Sequence, residues 1–201
     1  MIEFVVNLNH FKTITIRNNI MIIQQLSLFE TKPIKLGSNE NYTSLDEINL
    51  VHKFYGHPDL DPFSCELANE TVKAKVFYTI EDDGFSKDWR GNRTIWLNPP
   101  YSQGFLEPVV DKLIDLLGRE YPEVLLLTNT DNSTQWYQKA LNNCVRFALP
   151  TKRLTFYSPE RVAKGQKQDQ NNRSQTLFYF GQQPQRFEEV FGNWGIVLSS
   201  F

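Results

Sequence analysis

Leu45, Ile48, Val51, His52 and Tyr55 fall at helical spacing along one face. Ser44 followed by Glu47 forms a capping box, and Gly56 can supply a left-handed C-terminal cap, so a first helix is expected at about 44–55. The segment 58–63 then reads as a strand, 65–74 as a helix, and 76–79 as a strand of β-favouring residues. Thr94 to Asn98 is an apolar strand stopped abruptly by Pro99 and Pro100. Phe105, Leu106, Val109, Val110, Leu113, Ile114 and Leu117 mark an amphipathic helix, and 124–128 is an unbroken apolar run of the kind buried in parallel sheets. Further on, 133–141 is expected as helix, 145–149 and 176–180 as strands, 185–191 as helix and 195–199 as a last strand. Strand and helix alternate over about 150 residues, which predicts an α/β fold: a mainly parallel sheet with helices on both faces.

Upstream of this pattern, residues 1–29 are rich in Ile, Asn and Gln, and 30–41 are polar with Pro, Gly and charges. Residues 1–41 are therefore expected to be an N-terminal extension and linker, with the folded domain over 42–201. The chain has 201 residues, 40% of them hydrophobic and 22% charged, which excludes general disorder and leaves room for one core. No window approaches the roughly 20 apolar residues of a membrane span, and no signal-peptide layout opens the sequence. A soluble, cytoplasmic protein is the expectation. Cys65 and Cys144 have no CxxC partner, and His10, His52 and His57 show no zinc spacing, so no metal site and no disulfide is expected. The net charge of -2 conceals an asymmetry: residues 30–83 carry eleven acidic and five basic side chains, whereas 151–175 carry six basic and two acidic. A phosphate-binding face belongs to the second stretch, although charge alone fits a solvated loop equally well.

In such a sheet, ligands bind at the C-terminal ends of the strands. Asn98-Pro99-Pro100-Tyr101 stands there. Each proline removes a backbone N–H and holds the residue before it in extended geometry, so the tetrapeptide is a stiff arm bearing acceptors. The Asn98 side-chain oxygen and the Pro99 carbonyl can both accept from one amino group, and Tyr101 offers a flat face to a planar ring. An exocyclic amine on a planar ring fits this arm. Paired prolines also end strands with no ligand at all, and the four residues by themselves fit that reading too.

The order of segments adds weight to the first reading. Asn98 to Tyr101 resembles motif IV of the amino-methyltransferases that use S-adenosylmethionine. Together with YTSLDEI (42–48), DLDPFS (59–64), the acidic element ending in Asp82-Asp83-Gly84, Trp89 and RTIWLNPPYS (93–102), it resembles the phage-type DNA N6-adenine methyltransferase family from about Tyr42 to Phe180. The resemblance implies a Rossmann-like class I methyltransferase fold, S-adenosylmethionine as methyl donor and DNA as partner. It makes Asp61, Pro62, Phe63 and Ser64 the first cofactor-binding element and Asp82 and Asp83 the later acidic one. No glycine-rich run accompanies the first element, and Phe63 stands where the family carries a small residue. Asp82-Asp83-Gly84 is also good turn chemistry. Asn98, Pro99, Pro100 and Tyr101 become the catalytic set, with adenine extruded from the duplex, stacked on Tyr101 and held by its N6 amine. Other planar amines or amides, in RNA adenine or protein glutamine, would suit the same arm, and a non-catalytic DNA-binding module is a further alternative.

The resemblance also implies that Lys152, Arg153, Phe156 and Tyr157 lie beside the target base, with Arg161, Lys164, Lys167 and Arg173 in the following loop on phosphates and base edges. Phe156 and Tyr157 equally suit a core position. Trp89, Trp96, Trp136 and Trp194 read mainly as packing residues. In the N-terminal extension, Gln25 to Phe29 (QLSLF) resembles the short peptide by which bacterial replication and repair proteins attach to the sliding clamp, with Leu28 and Phe29 as anchors; the same residues could instead pack on the domain.

Overall fold

The computed structural model describes residues 42–102, 104–157 and 172–200. The clamp-like peptide Gln25 to Phe29, the linker, and Arg161, Lys164 and Lys167 lie outside the described residues. The described residues form, in order, β1 (Tyr42–Thr43), α1 (Leu45–Tyr55), β2 (Leu60–Asp61), α2 (Glu66–Val72), β3 (Val76–Phe77), β4 (Thr94–Leu97), α3 (Leu106–Leu117), β5 (Glu123–Asn129), α4 (Gln135–Asn143), β6 (Arg146–Pro150), β7 (Phe156–Tyr157), β8 (Gln175–Phe180), α5 (Pro184–Phe191) and β9 (Gly195–Ser199). No helix among them is long and apolar enough to cross a membrane.

Seven strands form one sheet in the order β3-β2-β4-β5-β8-β6-β9. Successive side chains of a strand point to opposite faces, and the two apolar clusters follow that alternation. Trp96, Leu125, Leu127, Leu177 and Tyr179 face Ile48, Val51 and Phe54 of α1 and Phe187, Val190 and Phe191 of α5. Ile95, Leu97, Val124, Leu126, Phe178 and Phe180 face Val109, Val110 and Leu113 of α3 and Tyr137 and Ala140 of α4. Helices therefore cover both faces, and the central strands β5 and β8 are apolar on both sides because neither side meets water.

The expectation of a mainly parallel sheet is corrected. β2 pairs in parallel with β3 and β4, and β4 with β5, but the pairings β5-β8, β6-β8 and β6-β9 are antiparallel. The sheet is mixed. An unbroken apolar run reports burial on two faces and carries no information on strand direction. β8 enters antiparallel between β5 and β6, a placement that needs no crossover helix.

Local expectations hold with adjustments. β2 and β3 are shorter than the segments 58–63 and 76–79, yet backbone bonds continue past them: Lys75 N–H donates to Pro58 O, Tyr78 N–H to Asp61 O and Ser64 N–H to Tyr78 O. Ser44 is the N-cap of α1, but its hydroxyl bonds the Glu47 carboxylate and makes no side-chain bond to the helix backbone. Gly56 ends α1 with φ +81° and ψ −153°, a positive φ that suits glycine, although the geometry is not that of a left-handed helical cap. A small second sheet was not foreseen: β1 and β7 pair antiparallel, Tyr42 opposite Tyr157 and Thr43 opposite Phe156.

Candidate active site

Asp61 closes β2 and is 2% exposed. Its Oδ1 accepts from the Phe63 N–H at 3.1 Å. Burial lifts the carboxyl to a pKa of about 7; the Phe63 N–H and the nearby Ser64 hydroxyl oppose that rise. The Ser64 oxygen nevertheless has no hydrogen bond of good geometry, so a buried polar atom stands unpartnered beside Asp61. The Pro62 carbonyl packs directly on Gly84, where a Cβ would come within 1.8 Å of Pro62 O. The elements at 61–64 and 82–84 are thus in contact because position 84 has no side chain. The Phe63 ring lies edge-on to Trp89 and Phe105 at 5.8 and 5.5 Å. Its half-buried side chain packs on these rings, while its backbone N–H serves the Asp61 turn.

The two acidic residues are not equivalent. Asp82 accepts from the Thr79 N–H and hydroxyl, both at 2.9 Å, and these bonds hold its carboxyl below the ordinary carboxylate range. Both bonds go to Oδ2 and make the turn that Asp-Asp-Gly suits. Asp83 is exposed in a left-handed conformation with φ +51°. Lys112 of α3 then ties this loop down: its ammonium donates to the Phe85 and Lys87 carbonyls, both at 2.6 Å, and lies 4.8 Å from the Trp89 ring centre. The Trp89 indole N–H donates to Gly84 O at 2.9 Å.

One strand over, Leu60 of β2 pairs with Ile95 of β4, which brings Asp61 and Asn98 to the same C-terminal edge of the parallel strands. Asn98 is half-buried, Pro99 buried and Pro100 exposed. The Asn98 amide is held at both ends. Its Nδ2 donates to Thr43 Oγ1 at 3.1 Å, and its Oδ1 accepts from the Tyr101 hydroxyl at 2.8 Å. The Leu127 carbonyl is a longer second acceptor for Tyr101 at 3.4 Å. Burial pushes the Tyr101 phenol far above its ordinary pKa, so it keeps the proton it donates. Tyr101 packs half-buried against the α1/α5 face. The flat face expected of it is accompanied by an orienting hydroxyl that motif reading did not supply.

The β1-β7 pair joins this edge to the basic segment. Lys152 and Arg153 are exposed, as is Arg173 just ahead of β8. Phe156 is 6% exposed and takes the core position that the sequence equally suited, while Tyr157 is 40% exposed. A groove of about 340 Å³ runs past Lys152, Arg153, Thr155, Ser44, Glu47 and Trp194. On the other side, the Cys65 thiol donates to the Tyr42 hydroxyl at 3.2 Å. Tyr42 and Thr43 therefore lie between the 61–65 element, Asn98 and the basic segment. Thr43 was missed because a threonine ahead of a helix N-cap has no mark of its own; its partner is 55 residues away. No cluster of three or more His, Cys, Asp or Glu able to hold a metal occurs among the described residues.

The family model for DNA N-6-adenine-methyltransferase (Dam) matches residues 42–190, which include every site residue named above. A DNA N-6-adenine-methyltransferase of Haemophilus phage HP1 is 35% identical over 123 residues, 61% of this chain and 66% of that protein. One of Escherichia phage T1 is 29% identical over 151 residues, 68% of this chain and 60% of the relative. The chain thus spans less than two thirds of the length of these curated relatives.

Proposed function

This chain belongs to the DNA N-6-adenine-methyltransferase family, and we propose that it transfers the methyl group of S-adenosylmethionine to N6 of adenine in DNA. The observation that carries this reading is the Asn98 amide at the end of β4, fixed at both ends with one lone pair of Oδ1 uncommitted. A planar amine presented to this edge would donate one proton to Asn98 Oδ1 and the other to the Pro99 carbonyl.

Those two acceptors act by differential binding. An aromatic amine lone pair is delocalised into its ring; acceptors placed for a nitrogen that is becoming pyramidal and positive bind the transition state better than the ground state. Asn98 remains neutral and forms no covalent bond. Its oxygen and that of Pro99 hold the amine protons while positive charge grows on the nitrogen.

The cofactor fits the residues one strand over. The Ser64 hydroxyl is buried without a partner, the Asp61 carboxyl adjoins it, and Asp83 presents a carboxylate suited to ribose hydroxyls or an adenine amine. Asp61, Ser64, Asp83 and the backbone of 62–64 would hold S-adenosylmethionine, while Asp82 shapes the turn. When bound, that cofactor supplies an electrophilic methyl on a sulfonium centre. Lys152, Arg153 and Arg173 suit phosphate contacts, and the exposed Tyr157 suits a base face.

Transfer of labelled methyl groups from S-adenosylmethionine to duplex DNA, with RNA and a glutamine peptide as competing acceptors, tests the reading. Asn98→Ala is expected to lower kcat on DNA by about 100-fold or more through loss of one transition-state acceptor, with cofactor affinity retained. Near-native turnover in this variant would reduce the tetrapeptide to a strand-ending turn.

A further inference from the structure

Asparagine is a poor acceptor unless its amide plane is held. The torsion that turns the amide is broad and roughly two-fold, so the backbone of the proline arm sets where Asn98 stands but not which end of its amide faces an incoming group. A reversed amide would present an N–H to an amine that must itself donate. The orientation has to come from the partners at each end, and these are the Tyr101 hydroxyl on Oδ1 and the Thr43 hydroxyl on Nδ2.

We propose that Thr43 is a positioning residue for methyl transfer: its hydroxyl oxygen, by accepting from Asn98 Nδ2, keeps Asn98 Oδ1 turned toward the amine to be methylated. This role presupposes that Asn98 receives the amine, as proposed above. Thr43 is 7% exposed, so solvent has little access to replace a missing acceptor. Its own place is fixed from the far side of β1. Thr43 pairs through its backbone with Phe156, whose ring is in the core, and the neighbouring Tyr42 hydroxyl accepts from Cys65, the N-cap of α2. The hydroxyl that orients Asn98 is thereby set by both the cofactor-side element and the segment carrying Lys152 and Arg153.

Steady-state kinetics of the full chain on a duplex oligonucleotide, with S-adenosylmethionine affinity by calorimetry and folding by circular dichroism, test this. Thr43→Val and Thr43→Ala both remove the hydroxyl, and Thr43→Val keeps the branched shape and the β1-β7 backbone ladder. Both are expected to lower kcat roughly tenfold or more, with cofactor affinity and the KM for duplex within about twofold of wild type. Thr43→Ser, which keeps the hydroxyl and loses the methyl, is expected to stay within about threefold. A packing role would give the reverse order, with the isosteric valine tolerated and serine impaired. That order, near-native kcat in either folded hydroxyl-free variant, or loss of the folded state in both, overturns the role of Thr43. Near-native turnover in Asn98→Ala, measured alongside, would instead overturn the assignment of Asn98.

Discussion

The Asp61 carboxyl costs the folded chain stability whenever it is ionised. The unfolded chain releases this proton near its ordinary pKa of 3.8, the folded chain near 7. Between those values the folded state binds more proton than the unfolded one, so stability falls as pH rises from about 4 to about 7 and stays low above. Asp61→Asn keeps the acceptor for the Phe63 N–H and removes the ionisation. It is expected to stabilise the cofactor-free protein on the order of 4 kcal/mol at pH 8 and hardly at pH 4, measured by urea unfolding at both pH values. Equal midpoints for the two chains at pH 8 would refute this. The same variant is expected to bind S-adenosylmethionine more weakly at pH 8. Lower stability at a residue proposed to hold a ligand would be the usual trade at a site.

At the scale of elements, the loop from Thr79 to Trp89 is the most constructed part of the site. It has no regular structure of its own and is held by Asp82 on Thr79, Trp89 on Gly84, Lys112 on two carbonyls, and the packing of Gly84 on Pro62. A methyl at position 84 would collide with backbone, so Gly84→Ala must separate the 61–64 and 82–84 elements. It is expected to destabilise the chain by about 1–3 kcal/mol and to weaken cofactor binding, read by thermal melting and calorimetry. An unchanged dissociation constant would detach the acidic loop from the cofactor site. Elements with a full period, such as α1, α3 and the run of β5, were legible in the sequence. β1 and β7 have two residues each and offer no period to read, so the pair that places Thr43 was invisible. For Phe156 and Tyr157 a shift of one residue decides which side chain enters the core, and composition cannot settle it. Lys112 was not singled out in the sequence, because its partners are carbonyls, which leave no trace in residue identity. The placement of Asn98 and Asp61 at the ends of strands was legible, because each stands in a segment whose strand and breaker residues are plain in the sequence.

Across the whole molecule, the net charge of -2 means that attraction to the proposed DNA substrate must come from a local patch. Lys152 and Arg153 are exposed beyond β6, on the side of the β1-β7 pair. Replacing both by Ala is expected to weaken duplex binding and to reduce the slope of log K against log salt by about 2, one for each phosphate that is no longer neutralised. Turnover at saturating DNA is expected to change little. An unchanged salt slope in titrations at several salt concentrations would place the phosphate-binding residues elsewhere. The seven-strand sheet, finally, constrains the order in which the molecule can be made. β5 and β6 do not pair with each other; each pairs with β8, whose six residues are all buried. On the ribosome, residues 123–150 emerge before 175–180 do, and until then β5 and β6 each have an unpaired edge toward a strand that is not yet present. Closure of this sheet consequently waits for residues 175–180. A nascent or truncated chain ending before Gln175 leaves Leu125, Leu127 and Ala148 without the strand that seals them, a species suited to chaperone capture or aggregation and not to methyl transfer.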